Sequence, residues 1–349
     1  MMSVSSFSRL NPAFSLFMSL SFLGIVMVVC SGGLLGVYVG FECSFLGLAA
    51  VLAGDSVEEN EGCMKYFVFQ ALGSMFLLVG FVFLIEPVFS IVVAWAFTLV
   101  GLCLKAGFFP FHYWVPSVMA TCSWFSCFLI SVWQKIGLMC FIGKSGMSWG
   151  IPHWLEGIAC LTALSGAIGG VWAVFYRSLM GYSSLVHSGW MIMACFTGLG
   201  SVLFYLGVYG VISGVLMGRL QMAKLMCYED LSNTHLNSGS SLFMVFIDFM
   251  SLGGVPVLPG FIPKVVVLIL LGTGHLPVVA CLILASILSL YYYLKVAMVA
   301  GVGTGLNHYV TQKWGGTLRK IKASVYVWWS MFLYATGFSG LLVLVGVVV

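Results

Sequence analysis

Three lysines lie inside apolar stretches of this sequence, where a membrane protein rarely keeps a charge. Lys105 lies in VAWAFTLVGLCLKAGFF, Lys135 lies in CFLISVWQKIGLMCFIG, and Lys264 directly follows GGVPVLPGFIP. A cation at the centre of a bilayer costs about 2.5–3.5 kcal/mol on insertion scales. Ionisable residues kept at such a cost usually mark an ion or proton path, so these lysines are the first candidates for function.

A glutamate supplies a matching negative charge. Glu42 lies in the middle of GGLLGVYVGFECSFLGLAAVL without a charged neighbour in sequence, so its partner must come from another helix, and Lys105 is the candidate. A carboxylate partner favours the charged form of a lysine, whereas burial and a second ammonium favour loss of the proton. Such lysines can accept and release protons under the control of the glutamate. The alternative for each lysine is an ammonium that extends to the membrane surface, which is our expectation for Lys295.

Two histidines and an aspartate add titratable groups. His112 follows a proline-containing stretch, and His187 lies in GYSSLVHSGW. A histidine titrates in the range that a proton relay needs, although a hydrogen-bonded core histidine fits either position equally well. Haem ligation by the two histidines is a weaker alternative, because a second histidine pair is not evident. Asp248 either belongs to the same path or caps a half-helix.

The composition indicates which class of protein positions these residues. Of the 349 residues, 61% are hydrophobic and 7% are charged, whereas a soluble domain has about 25% charged residues. Since only helices and closed barrels satisfy every backbone group in lipid, apolar runs of roughly 20 residues predict an all-α polytopic membrane protein. No nucleotide-binding glycine motif and no CxxC pair occurs, so we expect no cofactor or metal in this chain. The net charge of +4 gives little support to a nucleic-acid partner.

About eleven apolar segments have lengths suited to a bilayer. Two of them, about 88–118 and 240–271, contain several prolines and are predicted to be discontinuous helices, because proline removes a backbone donor and clashes with the previous turn. The two discontinuous helices are five segments apart, and because five is odd, a five-helix repeat would place its two copies in opposite orientations. The sequence therefore predicts a single membrane domain over 1–349 with inverted five-helix repeats, repeat A at about 12–142 and repeat B at about 153–300, followed by an extra helix. The segments are 12–31, 33–53, 63–85, 88–118, 120–142, 153–175, 179–199, 201–222, 240–271, 277–300 and 324–348. The longest polar stretches, 54–62, 226–241 and 303–323, are expected to be loops.

The distribution of basic residues predicts the orientation. With eleven helices, nearly all cations fall on the side of the N-terminus, whereas Lys144 falls on the other side. The positive-inside rule therefore places the N-terminus in the cytoplasm or the mitochondrial matrix, with the C-terminus across the membrane. The residues on the N-terminal side are Arg9, Lys65, Arg177, Arg219, Lys224, Lys313, Arg319, Lys320 and Lys322.

Five stretches of the sequence occur in the order in which one known family has them. They are KYFVFQALGSM (65–75), LKAGFFPFHYWVPSV (104–118), SVWQKIGLM (131–139), YRSLMGYSSLVHSGWMI (176–192) and SLGGVPVLPGFIPK (251–264). With these stretches the sequence resembles mitochondrially encoded NADH dehydrogenase subunit 2, an antiporter-like subunit in the membrane arm of respiratory complex I. The family often has Asn two residues after the glutamate, where this chain has Ser44.

The resemblance implies a proton-translocating subunit of NADH:ubiquinone oxidoreductase in the mitochondrial inner membrane. Matched residue by residue, the family's relay corresponds to Glu42, Lys105, Lys135 and Lys264, with His112 and His187 as further relay candidates. The implied partners are other membrane-arm subunits and lipids. NADH, FMN, iron–sulfur clusters and ubiquinone are implied for the parent complex and not for this chain. The implied orientation has the N-terminus in the matrix and the C-terminus in the intermembrane space.

Two other functions are compatible with the same residues. A free-standing cation/proton antiporter would share the repeats and the buried charges, although a sodium site would need more carboxylates in the membrane than Glu42 and Asp248. A structural membrane-arm subunit would use its charges only to hold helices together. For that subunit, neutral substitutions would impair assembly and leave proton pumping unchanged.

Overall fold

The chain folds into helices throughout the part that the structure describes. The computed structural model describes residues 12–54, 56–86, 90–149, 154–223, 225–227, 230, 239–256, 258–272 and 274–311. Within these ranges there is no β-strand, only an isolated bridge between Phe175 and Cys227. The helices are α1 (Pro12–Cys30), α2 (Leu34–Leu52), α3 (Val57–Ile85), α4 (Ile91–Ala106), α5 (Trp114–Thr121), α6 (Trp124–Phe128), α7 (Gln134–Trp149), α8 (Trp154–Trp172), α9 (Tyr176–Thr197), α10 (Leu199–Ala223), α11 (Gly239–Gly253), α12 (Phe261–Leu271) and α13 (Leu276–Thr311).

The prediction of an all-α polytopic membrane protein is confirmed. Among the described residues, 7 helices are long and apolar enough to cross a membrane, judged by length and composition. The shorter apolar helices α4, α11 and α12 belong to the two discontinuous helices, which are α4 with α5 and α11 with α12. The predicted helix at 324–348 lies outside the described residues, so a total of eleven stays a prediction.

All three polar stretches that were expected to be loops are partly helical within the described residues, since α11 begins at Gly239, inside the stretch 226–241. Helix α3 begins at Val57, inside the stretch 54–62, because the Ser56 side chain accepts a hydrogen bond from the Glu59 backbone N–H at 3.2 Å. Glu58 and Glu59 lie in the first turn, where the helix dipole favours acidic residues. Helix α13 continues to Thr311, beyond the start of the predicted loop at 303. Hydropathy alone places helix ends at the limits of the apolar run and misses such polar turns.

A serine-rich helix lies at the centre of the molecule. Helix α9 contacts α5, α6, α7, α8, α10, α12 and α13, and most of its residues are buried. Its serines and His187 exclude it from the helices that qualify as membrane spans by hydropathy. Their burial instead places polar side chains where α7 and α12 can reach them. Helix α9 is therefore the element that organises the polar interior.

A glycine in the left-handed conformation ends α4 and starts the first break. Gly107 has a φ of 70°, and its N–H bonds to the Cys103 carbonyl. A side chain is disfavoured there because left-handed backbone costs L-residues about 1–2 kcal/mol. A Cβ at this position would also clash with the Val115 side chain of α5.

We expect Gly107→Ala to destabilise the protein by about 2 kcal/mol or more, since backbone strain and the clash act together. The measurement is the thermal stability of the purified protein or of the particle that contains it. The matched control is Gly157→Ala in α8, where a Cβ would meet nothing within 4 Å. Equal losses in the two variants would show that the break does not depend on this backbone conformation.

Candidate functional site

The predicted pair between Glu42 and Lys105 is present. The Lys105 ammonium on α4 donates to Glu42 Oε1 on α2 at 3.0 Å. The lysine side chain is 3% exposed and the glutamate side chain is 26% exposed, so the lysine is buried and the glutamate is partly accessible. The ammonium also lies 5.5 Å from the centroid of the Phe41 ring, a second favourable contact for a cation.

The carbonyl groups left free by the first break are bonded to protein side chains. Gln70 on α3 donates to the Lys105 carbonyl at 2.9 Å, and the Trp114 indole donates to the Leu104 carbonyl at 3.0 Å. These two side chains therefore stabilise the non-helical backbone at the break, and the sequence analysis did not single out either of them. The similar stretches of the sequence contain both donors, but only the fold shows which backbone groups they reach.

Lys135 is held by the central helix. Its ammonium donates to the Ser184 carbonyl at 2.5 Å and to Ser188 Oγ at 2.7 Å, and both acceptors belong to α9. The side chain is buried and lies directly after a π-helical turn, Leu129–Trp133, that joins α6 to α7. In the described contacts its partners are neutral oxygens, in contrast to the carboxylate that Lys105 contacts.

A hydrogen bond connects the two lysine-bearing regions. Gln134, the residue before Lys135, donates to the backbone carbonyl of Ser44 on α2 at 3.2 Å. Ser44 follows Glu42 by half a turn, and its hydroxyl donates to the Phe41 carbonyl at 2.9 Å. Glu42 and Lys135 therefore lie on two helices, α2 and α7, that are in direct contact.

His187 lies near the contacts of the second and third lysines. It is buried on α9, directly before Ser188, which accepts from Lys135, and it shares a cavity lining with Pro263, the residue before Lys264. Its Nδ1 lies 3.0 Å from the Tyr205 hydroxyl on α10. The imidazole also borders a small cavity, whose lining includes Tyr209 on α10, and Gly260 and Pro263 at the second discontinuous helix.

Lys264 reaches back across the second break. It lies in the first turn of α12, is buried, and donates to the carbonyl of Gly253, the last residue of α11, at 3.0 Å. A cation is favoured at the C-terminal end of a helix, where carbonyl groups lack partners. Gly254, with a φ of 80°, leaves room for the ammonium, since a Cβ there would lie 2.8 Å from Lys264 Nζ.

The described contacts of His112 do not include Glu42, the three buried lysines or His187. Its ring stacks on Phe109 with centroids 5.8 Å apart and contacts the Tyr113 ring at 4.0 Å. The side chain is buried, and its Nδ1 has no hydrogen-bond partner among the described residues. A relay role for His112 stays a prediction of the sequence.

Asp248 forms an ion pair that the sequence did not indicate. Its carboxylate on α11 lies 2.7 Å from Arg219 Nη1 on α10, and the side chains are 4% and 9% exposed. Arg219, which we counted among the cations on the N-terminal side, lies inside α10 with its side chain only 9% exposed. The pair joins α10 to α11, the first half of the second discontinuous helix. The arginine balances the negative charge of the aspartate, which explains how an apolar segment tolerates it.

Glu156 and His275 form a second contact that was not predicted, with 3.1 Å between Glu156 Oε2 and His275 Nδ1. It joins the start of α8 to the residue before α13, away from the lysines in sequence. Within the described ranges, no group of three or more His, Cys, Asp or Glu side chains is placed to hold a metal ion.

Comparison with known proteins identifies the family. The model of the NADH:quinone oxidoreductase/Mrp antiporter transmembrane family matches residues 31–289. The NADH-ubiquinone oxidoreductase chain 2 of Mytilus edulis is 31% identical over 331 residues, which cover 93% of this chain and 94% of that relative. The chain 2 of Lumbricus terrestris is 31% identical over 296 residues, covering 82% and 86% of the two chains.

Solved structures show the same fold. A chain of respiratory complex I from Thermus thermophilus aligns with a TM-score of 0.79 at 23% identity, covering 94% of this chain and 78% of that one. A chain of the Mrp complex from Dietzia aligns with a TM-score of 0.69 at 21% identity, covering 82% and 62%. The chain therefore belongs to the NADH:quinone oxidoreductase/Mrp antiporter family of membrane proteins, within the group of NADH-ubiquinone oxidoreductase chain 2.

Proposed function

We propose that this chain is an antiporter-like, proton-translocating subunit in the membrane arm of NADH:ubiquinone oxidoreductase. The names of its relatives and their coverage over nearly the whole chain support membership in that complex. Redox chemistry occurs in other subunits, which hold NADH, FMN, iron–sulfur clusters and ubiquinone. The partners of this chain are other membrane-arm subunits and the lipids of the mitochondrial inner membrane.

The contacts of Lys135 are the observation that carries the proposal. An ammonium has three N–H groups, and two of them are donated to the α9 oxygens of Ser184 and Ser188. The third has no acceptor among the described residues, and we assign it to proton transfer. Since neither acceptor is charged, the lysine is not fixed in its protonated form by a carboxylate. Lys135 can therefore load a proton and release it in response to charges nearby.

The Glu42–Lys105 pair supplies those charges. While the two groups are paired, their fields largely cancel at a distance. When they separate, the uncompensated ammonium of Lys105 repels a protonated Lys135, and the repulsion is strong in a medium of low dielectric constant. In this proposal the proton then passes to His187 and on to Lys264. Hydrated half-channels on the two sides deliver and remove protons.

The architecture proposed for this relay is a pair of inverted repeats in one membrane domain. Repeat A, about 12–142, contains the discontinuous helix that carries Lys105, and repeat B, about 153–300, contains the one that carries Lys264. An extra helix follows at about 324–348. The N-terminus lies in the matrix and the C-terminus in the intermembrane space, as the positive-inside rule favours.

We expect this chain to migrate in a large, NADH-oxidising particle after gentle solubilisation of the membranes. The measurement is a native gel that is stained for NADH oxidation and probed for this chain. The band should be far larger than the 37.8 kDa of the chain alone. A small particle without NADH oxidation would contradict the proposal and would favour a free-standing antiporter, to be tested by ion flux in liposomes.

A further inference from the structure

The hydrogen bond at Nδ1 of His187 restricts what this histidine can do. His187 on α9 and Tyr205 on α10 are 4% and 1% exposed, so neither polar group is open to bulk solvent. The distance of 3.0 Å between His187 Nδ1 and the Tyr205 hydroxyl is that of a hydrogen bond. With Nδ1 occupied, Nε2 is the nitrogen that remains for exchange of a proton.

A charged imidazole needs a hydrogen-bond acceptor at each nitrogen, because both nitrogens are then donors. A phenol hydroxyl can accept the Nδ1–H both in the neutral tautomer whose Nε2 carries no proton and in the charged imidazole. Tyr205 is therefore compatible with the neutral and with the charged form of His187. This matters because Lys135 bonds to Ser188, the residue after His187, and Pro263, the residue before Lys264, lines a cavity with His187, so a charged imidazole would have two ammonium groups nearby.

We propose that Tyr205 is a positioning residue for proton transfer, which keeps Nε2 of His187 available by accepting the Nδ1–H in both the neutral and the charged imidazole. This inference rests on the proposed function and adds to it the residue that makes the histidine step feasible. A proton arrives at Nε2 of His187 and leaves from the same nitrogen, while Nδ1 keeps its hydrogen. No proton passes through the phenol.

A neighbouring tyrosine provides the matched control. Tyr209 is one turn further along α10 and is buried like Tyr205. It contacts His187 through its ring, with centroids 4.7 Å apart. Replacing either tyrosine with phenylalanine removes one buried hydroxyl and keeps the ring. Only Tyr205→Phe removes the partner of Nδ1.

The experiment measures proton translocation per NADH oxidised, as a function of pH, in sealed inner-membrane vesicles that contain the assembled complex. An unpaired buried N–H makes the charged imidazole less populated by a factor on the order of ten. Tyr205→Phe should therefore lower translocation about tenfold near neutral pH and move its pH profile about one unit toward acid. Tyr209→Phe should keep the wild-type profile.

The same comparison in a His187→Gln background separates positioning from general damage. There, Tyr205→Phe should cause no further loss, because the group that it serves is absent. A tenfold further loss in that background would overturn the inference, and so would an unshifted pH profile of Tyr205→Phe. If Lys135→Ala abolishes translocation while Tyr205→Phe behaves like Tyr209→Phe, the role of Tyr205 fails and the proposed function remains. If Lys135→Ala leaves translocation intact, the proposed function itself fails.

Discussion

Replacing Lys135 with alanine is expected to abolish the contribution of this chain to NADH-driven proton translocation. The variant removes the ammonium that α9 holds through Ser184 and Ser188. Transfer by a positioned acid or base typically contributes a hundredfold or more, so we expect the rate through this path to fall by roughly a hundredfold. The measurement is protons translocated per NADH oxidised in sealed vesicles, with the amount of assembled complex determined on a native gel.

The control for this variant is Lys295→Ala. Lys295 lies on α13 with its side chain exposed in this chain, and the proposed relay does not include it. Its loss should leave translocation per NADH unchanged. A Lys135→Ala enzyme that assembles normally and pumps at the wild-type ratio would contradict the relay proposed above, because that relay requires Lys135 to accept the proton.

Proline and glycine made the discontinuous helices predictable, because their effect on the backbone is local. The breaks at Gly107 and at Gly254 lie within the two segments that the sequence indicated. The π-helical turn before Lys135 was not predictable in this way, since Leu129–Trp133 contains neither proline nor glycine. Its geometry is set by the helices packed around it, and a hydropathy profile contains no information about which helices are in contact.

The charged residues of the site were predictable as single residues, and one of their contacts was as well. Glu42 and Lys105 carry opposite charges in otherwise apolar helices, so each requires a partner and the choice was small. The acceptors of Lys135 are a backbone carbonyl and a hydroxyl, and such groups are too common in the sequence to be singled out. The arginine partner of Asp248 was missed for another reason, because its proximity to a helix end suggested a surface position.

Replacing Glu42 with glutamine is expected to have two separable effects. The ammonium of Lys105, whose side chain is 3% exposed, would lose its carboxylate partner. Removing one partner of a buried ion pair destabilises a protein by about 3–5 kcal/mol, because the other charge stays buried without a partner. We expect a value at the low end of this range because Glu42 is 26% exposed. Less assembled complex should accumulate, and the complex that does assemble should pump fewer protons per NADH. Glu61→Gln is the matched control, since its pair with Lys65 lies on the surface.

The double variant Glu42→Gln/Lys105→Met distinguishes the relay from a purely structural role. Removing both charges leaves no unpaired ion, and replacing a buried pair with apolar groups is often neutral for stability. Assembly on the native gel should therefore recover relative to Glu42→Gln. Proton translocation should not recover, because the charge that drives release from Lys135 is gone. Recovery of both together would mean that these residues only hold α2 against α4, as expected of a structural subunit.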